Sequence, residues 1–202
     1  MKTFSLSDLP SSVDKFLVMD FDGVFNVDRP TGTFPKQFYN AKQKGLVANP
    51  DYDKFQFKSL RLPKNYEMNF SAELVNDFNV LANDSETAVL WLTTWRGDMD
   101  SVVPVLDFES YNEMSFLKWG SSNVSANHFH KVDAMVEFMK MLKNAKSEYH
   151  VVWADDVVLA DNFKHPLLND VVSDERVLTF APNPKYGLSK DDLVKMKDFL
   201  KD

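Results

Sequence analysis

The sequence predicts an α/β fold: a mainly parallel sheet with helices on both faces and a small inserted cap or hairpin after the first strand. Two observations lead there. Short, continuous apolar runs recur along the chain, as strands buried on both faces require. Between them apolar residues return at spacings of three and four, as amphipathic helices require.

The first run spans 16–21, with Phe16, Leu17, Val18 and Met19 leading into Asp20-Phe21-Asp22-Gly23-Val24. The segment 27–69 then breaks the pattern with Pro30, Gly32, Pro35, Gly45, Pro50 and Pro63. It keeps only short alternating stretches such as Lys54-Phe55-Gln56-Phe57-Lys58, and is expected to be an insertion, a small cap or a hairpin. Regular structure resumes at Ser71, a candidate N-cap for a helix carrying Leu74, Val75, Phe78, Leu81 and Ala82 and closed by Asn83-Asp84-Ser85.

Ala88 to Leu92 is a second buried strand, running into Thr93-Thr94-Trp95-Arg96. A helix is expected to follow the Lys131 region, where Val132, Met135, Val136, Met139 and Leu142 recur. Tyr149 to Ala154 forms another strand, ending in Asp155-Asp156, and 176–180 a weaker one. Ser189 with Asp192 is a capping-box pattern opening a last helix with Leu193, Met196, Phe199 and Leu200. Strands alternating with helices stack as a Rossmann-like three-layer sandwich, one unit over 1–202 with 27–69 inserted.

A chain of 202 residues, 44% hydrophobic and 26% charged, is long enough for one substantial core and too apolar for disorder. Its 17 Phe make the core or a surface unusually aromatic. The absence of cysteine excludes disulfides, thiolate metal sites and a cysteine nucleophile. Met1 to Pro10 has no apolar signal core, and no run is long enough to cross a bilayer, so a soluble cytoplasmic protein is expected. The net charge of −7 argues against a general nucleic-acid coat. Within 28–67, however, four acids face eight bases, a local balance of +4 that leaves −11 elsewhere. Lysines interleaved there with Phe38, Tyr39, Phe55, Phe57 and Tyr66 suit either a strand-binding surface or a hairpin with its aromatics turned inward.

The chemistry gathers at strand ends. Asp20 and Asp22, two residues apart after a buried strand, can hold a hard metal ion and divide nucleophilic and acid/base roles. Thr94 and Arg96 end the second strand, Asp155 and Asp156 the third, and a parallel sheet brings such ends to one edge. Lys131, expected at a helix start, adds a cation there. His128 and His130 form an H-x-H pair without a nearby third ligand and are expected to be a loop feature. Trp91 is expected to pack in the core; Trp95 and Asp161 are left open.

This order of motifs resembles the haloacid dehalogenase-like phosphohydrolase superfamily. The apolar strand with D-x-D-G-V matches 16–24, the strand ending in Thr matches 88–94, Lys131 matches the motif lysine, and the strand ending in two acids matches 151–156 with Asp161 beyond. Thr94-Trp95-Arg96 stands where phosphatase domains of phage polynucleotide kinases carry Ser-Gly-Arg. The tail Pro182-Asn183-Pro184-Lys185-Tyr186-Gly187-Leu188-Ser189 resembles an RNA-repair-associated branch.

The resemblance implies that Asp20 is the nucleophile forming an aspartyl-phosphate and Asp22 the proton shuttle, its backbone carbonyl facing the metal. It implies Mg²⁺ held by Asp20, the Asp22 carbonyl and one or both of Asp155 and Asp156, with Thr94, Lys131 and Arg96 on the phosphate. Thr94 is preferred over Thr93 by alternation. The expected activity is a Mg²⁺-dependent phosphomonoesterase acting on nucleic-acid 3′-ends or nucleotides. A small-metabolite phosphatase with a specificity cap and a non-catalytic binding protein on the same fold are the alternatives.

Overall fold

Four consecutive apolar residues bury the first strand on both faces, and Phe16, Leu17, Val18 and Met19 are all inaccessible to solvent. The computed structural model describes residues 10–27, 39–40, 52, 54–61, 65–95, 98–108, 115–116 and 124–201. Its elements in chain order are β1 (Lys15–Met19), β2 (Tyr39–Asn40), β3 (Lys54–Arg61), β4 (Asn65–Phe70), α1 (Ala72–Ala82), β5 (Thr87–Trp91) and α2 (Met99–Val105). They continue with β6 (Ser115–Phe116), α3 (Val124–Ala145), β7 (His150–Ala154), α4 (Leu168–Val172), β8 (Val177–Phe180) and α5 (Lys190–Phe199).

The main sheet has five parallel strands in the order β6-β5-β1-β7-β8. From β1 the chain first builds outward on one side through β5 and β6, then crosses back to build β7 and β8 on the other. The strand order therefore reverses between β1 and β7, the place where open α/β sheets put their sites, beyond the carboxyl ends of the strands. In register, Met19 stands opposite both Trp91 and Ala154, so the three central strands finish at one level.

Alternation along the strands divides the core into two layers. Leu17, Met19, Val89, Trp91, Val152 and Ala154 pack with Leu74, Val75 and Phe78 of α1 and Leu193 and Met196 of α5. Phe16, Val18, Leu90, Val151 and Trp153 pack on the other face with Val132, Met135, Phe138 and Leu142 of α3. This is the predicted three-layer α/β sandwich. Much of the aromatic content is inside: Phe25, Phe78, Trp91 and Phe108 meet edge to face with centroids 4.9–6.1 Å apart.

Both predicted caps form. Ser71 accepts from the Leu74 amide at the head of α1, and at α5 Ser189 and Asp192 cap each other reciprocally. One expectation is corrected. Lys131 is not at a helix start, because α3 begins at Val124, seven residues earlier. Apolar recurrence marks where a helix is buried and is silent about turns that extend past the core, so the first two turns of α3 escaped it. The histidine pair is corrected for the same reason: His128 and His130 lie on α3, not in a loop.

In 27–69 the chain forms a second, antiparallel sheet, β2-β3-β4, with Gln56 opposite Phe70 and Arg61 opposite Asn65. The basic and aromatic side chains named between 28 and 67 lie outside the described residues; Tyr52, which is not among them, is buried and donates to Asp77 at 3.1 Å. At its exit, the Asn69 carbonyl accepts from the Val27 amide at 2.8 Å, tying the sheet back to the turn after β1.

The segment after β8 braces that same turn. Asn183 accepts from the amides of Tyr186 and Gly187, and the Leu188 amide then donates to the Val24 carbonyl at 3.1 Å. Gly187, at φ +69°, is needed there: a Cβ would collide with the Val24 carbonyl. Among the described residues no helix is long and apolar enough to cross a membrane.

At the opposite edge of the sheet, Asp174 accepts two hydrogen bonds at 3.0 Å from the Arg176 guanidinium and lies 3.0 Å from Lys143 of α3. Burial pushes the Asp174 carboxyl up, but these cationic donors outweigh it and hold the group at about 2. A depressed carboxylate stabilises the fold above its unfolded value and loses that contribution as pH falls. Acid titration of the unfolding free energy is therefore expected to lose about 2 kcal/mol between about pH 4 and pH 2 through this group. In Asp174→Asn that component of the titration disappears.

Candidate functional site

Beyond the carboxyl ends of β1 and β7 stand Asp20 and Asp155, each the first residue after its strand. Their backbones are still held in the sheet: the Asp20 amide donates to Ala154 at 2.9 Å and the Asp155 amide to Phe180 at 3.0 Å. Strand pairing therefore sets where both carboxylates begin. Both residues are buried, Asp155 completely.

Lys131 lies between them. Its Nζ donates to Asp20 Oδ2 at 2.5 Å and to Asp155 Oδ2 at 2.7 Å, and its side chain has no solvent exposure. The remaining oxygens are satisfied by backbone. Asp20 Oδ1 accepts from the Phe21 amide at 2.7 Å, and Asp155 Oδ1 accepts from the amides of Val157 and Val158 at 3.0 and 2.7 Å. Burial works against the charge on Lys131, but Asp20 and Asp155 together hold its ammonium well above the usual lysine range, so it stays protonated.

Asp156 joins the cluster from the next position. Ligand oxygens of Asp20, Asp155 and Asp156 lie within 4.8 Å of one another, and among the described residues this is the one such group that could hold a metal ion. Gly23 makes the approach possible, because it sits at φ +73° and a Cβ there would overlap the Asp156 carboxylate. Burial and the charge of Asp155 push Asp156 up to about 6, against Lys131. Burial also pushes Asp20 up, to about 7, with Lys131 opposing and Asp155 reinforcing the shift. Three carboxylates thus share one ammonium, and the donor set is all oxygen. That set fits a hard divalent cation, which would supply the missing positive charge.

The carboxylate of Asp22 does not join this group. Its Oδ1 accepts from Asn26 Nδ2 at 2.6 Å and its Oδ2 from the Trp95 indole N–H at 2.7 Å. Asn26 is itself oriented by the Asn69 amide, which donates to its Oδ1 at 2.8 Å. Thr93 is buried, whereas Thr94 is partly exposed in the turn that follows β5. Trp91 is in the core as expected. Arg96 lies outside the described residues. Asp161 is exposed, its carbonyl accepting from Lys164.

The two histidines do not converge on an ion. His130 Nδ1 is 3.4 Å from Asp133, while His128 Nδ1 is buried without a hydrogen-bond partner. Burial, and the nearby Lys131 charge, lower the His128 pKa. Sequence reasoning missed Asn26 and the backbone donors entirely and left Trp95 open. The local signal for Asn26 was its place four residues after Asp22, closing the turn with a bridge between the two. Comparison with protein-family models, curated proteins and solved structures finds no match to this chain.

Removing Lys131 leaves Asp20 and Asp155 buried against each other with no counter-charge. Lys131→Met is expected to lower the unfolding free energy by about 3–5 kcal/mol in chemical denaturation. Adding Asp20→Asn to that variant should recover part of the loss, because one of the two stranded charges is gone.

Proposed function

We propose that this chain is a Mg²⁺-dependent phosphomonoesterase of the haloacid dehalogenase-like type, acting through an aspartyl-phosphate. The observation that carries the reading is the buried Lys131 between Asp20 and Asp155 at the point where the strand order reverses. A carboxylate so placed is oriented, desolvated and next to a fixed cation, as a nucleophile toward a phosphoryl group needs to be.

In this reading an oxygen of Asp20 bonds to phosphorus as the ester oxygen departs, and Asp22 passes a proton to that oxygen. Water then attacks the aspartyl-phosphate, Asp22 takes a proton from it, and phosphate and free Asp20 result. Lys131 stays charged throughout and offsets the negative charge gathering around Asp20. Thr94 and Arg96 are the proposed contacts to the phosphoryl oxygens. Asp20, Asp155, Asp156 and the Asp22 backbone carbonyl would hold Mg²⁺, whose contribution is to neutralise and orient the phosphate.

For the substrate, the proposal is a nucleic-acid 3′-end or a nucleotide. The local +4 balance of 28–67 in a chain of net charge −7, and the Thr94-Trp95-Arg96 sequence, support it. A small-metabolite phosphatase is the second reading. It draws on the two hydrogen bonds that tie Asn69 to Asn26 and Val27 after β1, which would let the inserted sheet act on the site as a specificity cap.

Asp20→Asn is expected to abolish Mg²⁺-dependent hydrolysis of an aryl phosphate while the circular-dichroism spectrum stays that of the parent. Full activity in that variant would sink the assignment. Chelator-treated protein is expected to gain melting temperature on adding Mg²⁺, and Asp156→Asn to lose most of that gain. Among substrates, 3′-phosphorylated oligonucleotides should be turned over much faster than sugar phosphates, with a rate that falls as salt rises. Equal rates would favour the metabolite reading.

A further inference from the structure

Trp95 stands in the turn after β5, yet its indole reaches the turn after β1. Its N–H donates to Asp22 Oδ2 at 2.7 Å. The ring is set edge to face against Phe21, with centroids 5.2 Å apart and planes at 81°. Phe21 is fully buried, packs in turn on Trp91, and uses its own amide to hold Asp20 Oδ1 at 2.7 Å. One core residue therefore references both acids: Asp20 through its backbone and Asp22 through the ring that supports Trp95.

The chemistry of the donor matters as much as its place. An indole N–H donates and cannot accept, so Trp95 never competes for a proton on Asp22. Asn26 holds the other oxygen at 2.6 Å and is itself pinned by the Asn69 amide, so the plane of the carboxylate is defined from both sides. When the P–O ester bond breaks and the Asp22 proton moves to the departing oxygen, the carboxylate left behind keeps two donors already in position. No reorganisation is needed to receive that charge.

We propose that Trp95 is a positioning residue for Asp22, holding its carboxylate in the orientation from which a proton reaches the departing alcohol. The inference rests on the phosphomonoesterase reading. It makes a demand that general stabilisation does not. An alkyl alkoxide needs the proton as it leaves, whereas para-nitrophenolate leaves without one, so misplacing Asp22 penalises the first and largely spares the second.

The test compares kcat/KM, which reports steps up to loss of the alcohol, for an alkyl phosphate and for para-nitrophenyl phosphate in the parent, Trp95→Phe and Trp95→His. Phe keeps the ring against Phe21 and removes the donor; His keeps a ring N–H. The alkyl-to-aryl ratio is expected to fall about 10–100-fold in Trp95→Phe, a fraction of what a positioned acid contributes, and to recover in part in Trp95→His. An equal fall on both esters, or an unchanged ratio, in whichever variant keeps the parent's melting temperature, overturns the positioning role while leaving the phosphatase reading intact. A parent protein that hydrolyses neither ester with Mg²⁺ overturns that reading, and this inference with it.

Discussion

Two carboxylates and one ammonium, all withdrawn from water, meet beyond the ends of β1 and β7, and the rest of the molecule is arranged around keeping them paired. Taking an ion out of water costs several kcal/mol, and Lys131 repays this only because Asp20 and Asp155 are presented at 2.5 and 2.7 Å. The sheet sets the two acids by continuing its hydrogen bonds one residue past each strand. Helix α3 supplies the cation from its interior, where Val132 and Met135 hold that stretch against the sheet. Lys131 thus projects from a stretch of α3 that is packed on the sheet and not from its first turn.

Long elements with a strong pattern could be read from the sequence. β1, β5 and β7 are continuous apolar runs with both faces covered, and α1 and α5 have side-chain caps that announce their starts. What escaped was short. α2 has seven residues with Pro104 inside it, α4 has five and β6 two, too few for a period to emerge. Their existence depends on tertiary packing.

The candidate site divides in the same way. Asp20, Asp155 and Asp156 could be read because strand ends are where a parallel sheet exposes polar groups. Of their partners Lys131 could be read as a cation for that edge, though from a helix start and not from inside α3; the rest could not, since these are backbone amides of turns. Among side chains Trp95 is the clear case: its contact to Asp22 joins turns 73 positions apart, and nothing local in Thr93-Thr94-Trp95 encodes it. Thr93 and Thr94 are the opposite case, a local alternation that buries the first and leaves the second partly exposed.

The brace from Leu188 to Val24 joins parts of the chain that are far apart in sequence. Every charged group of the cluster precedes residue 157, and so do Asn26 and Trp95. Yet the turn that carries Asp22 and Gly23 is buttressed by a loop from the far side of β8, a contact of very long sequence separation whose closure carries a loop-entropy cost. A chain still lacking residues 182–188 would own every chemical group of the cluster without the buttress. The turn that carries Asp22 thus leans on a loop that gives the cluster no charged group of its own.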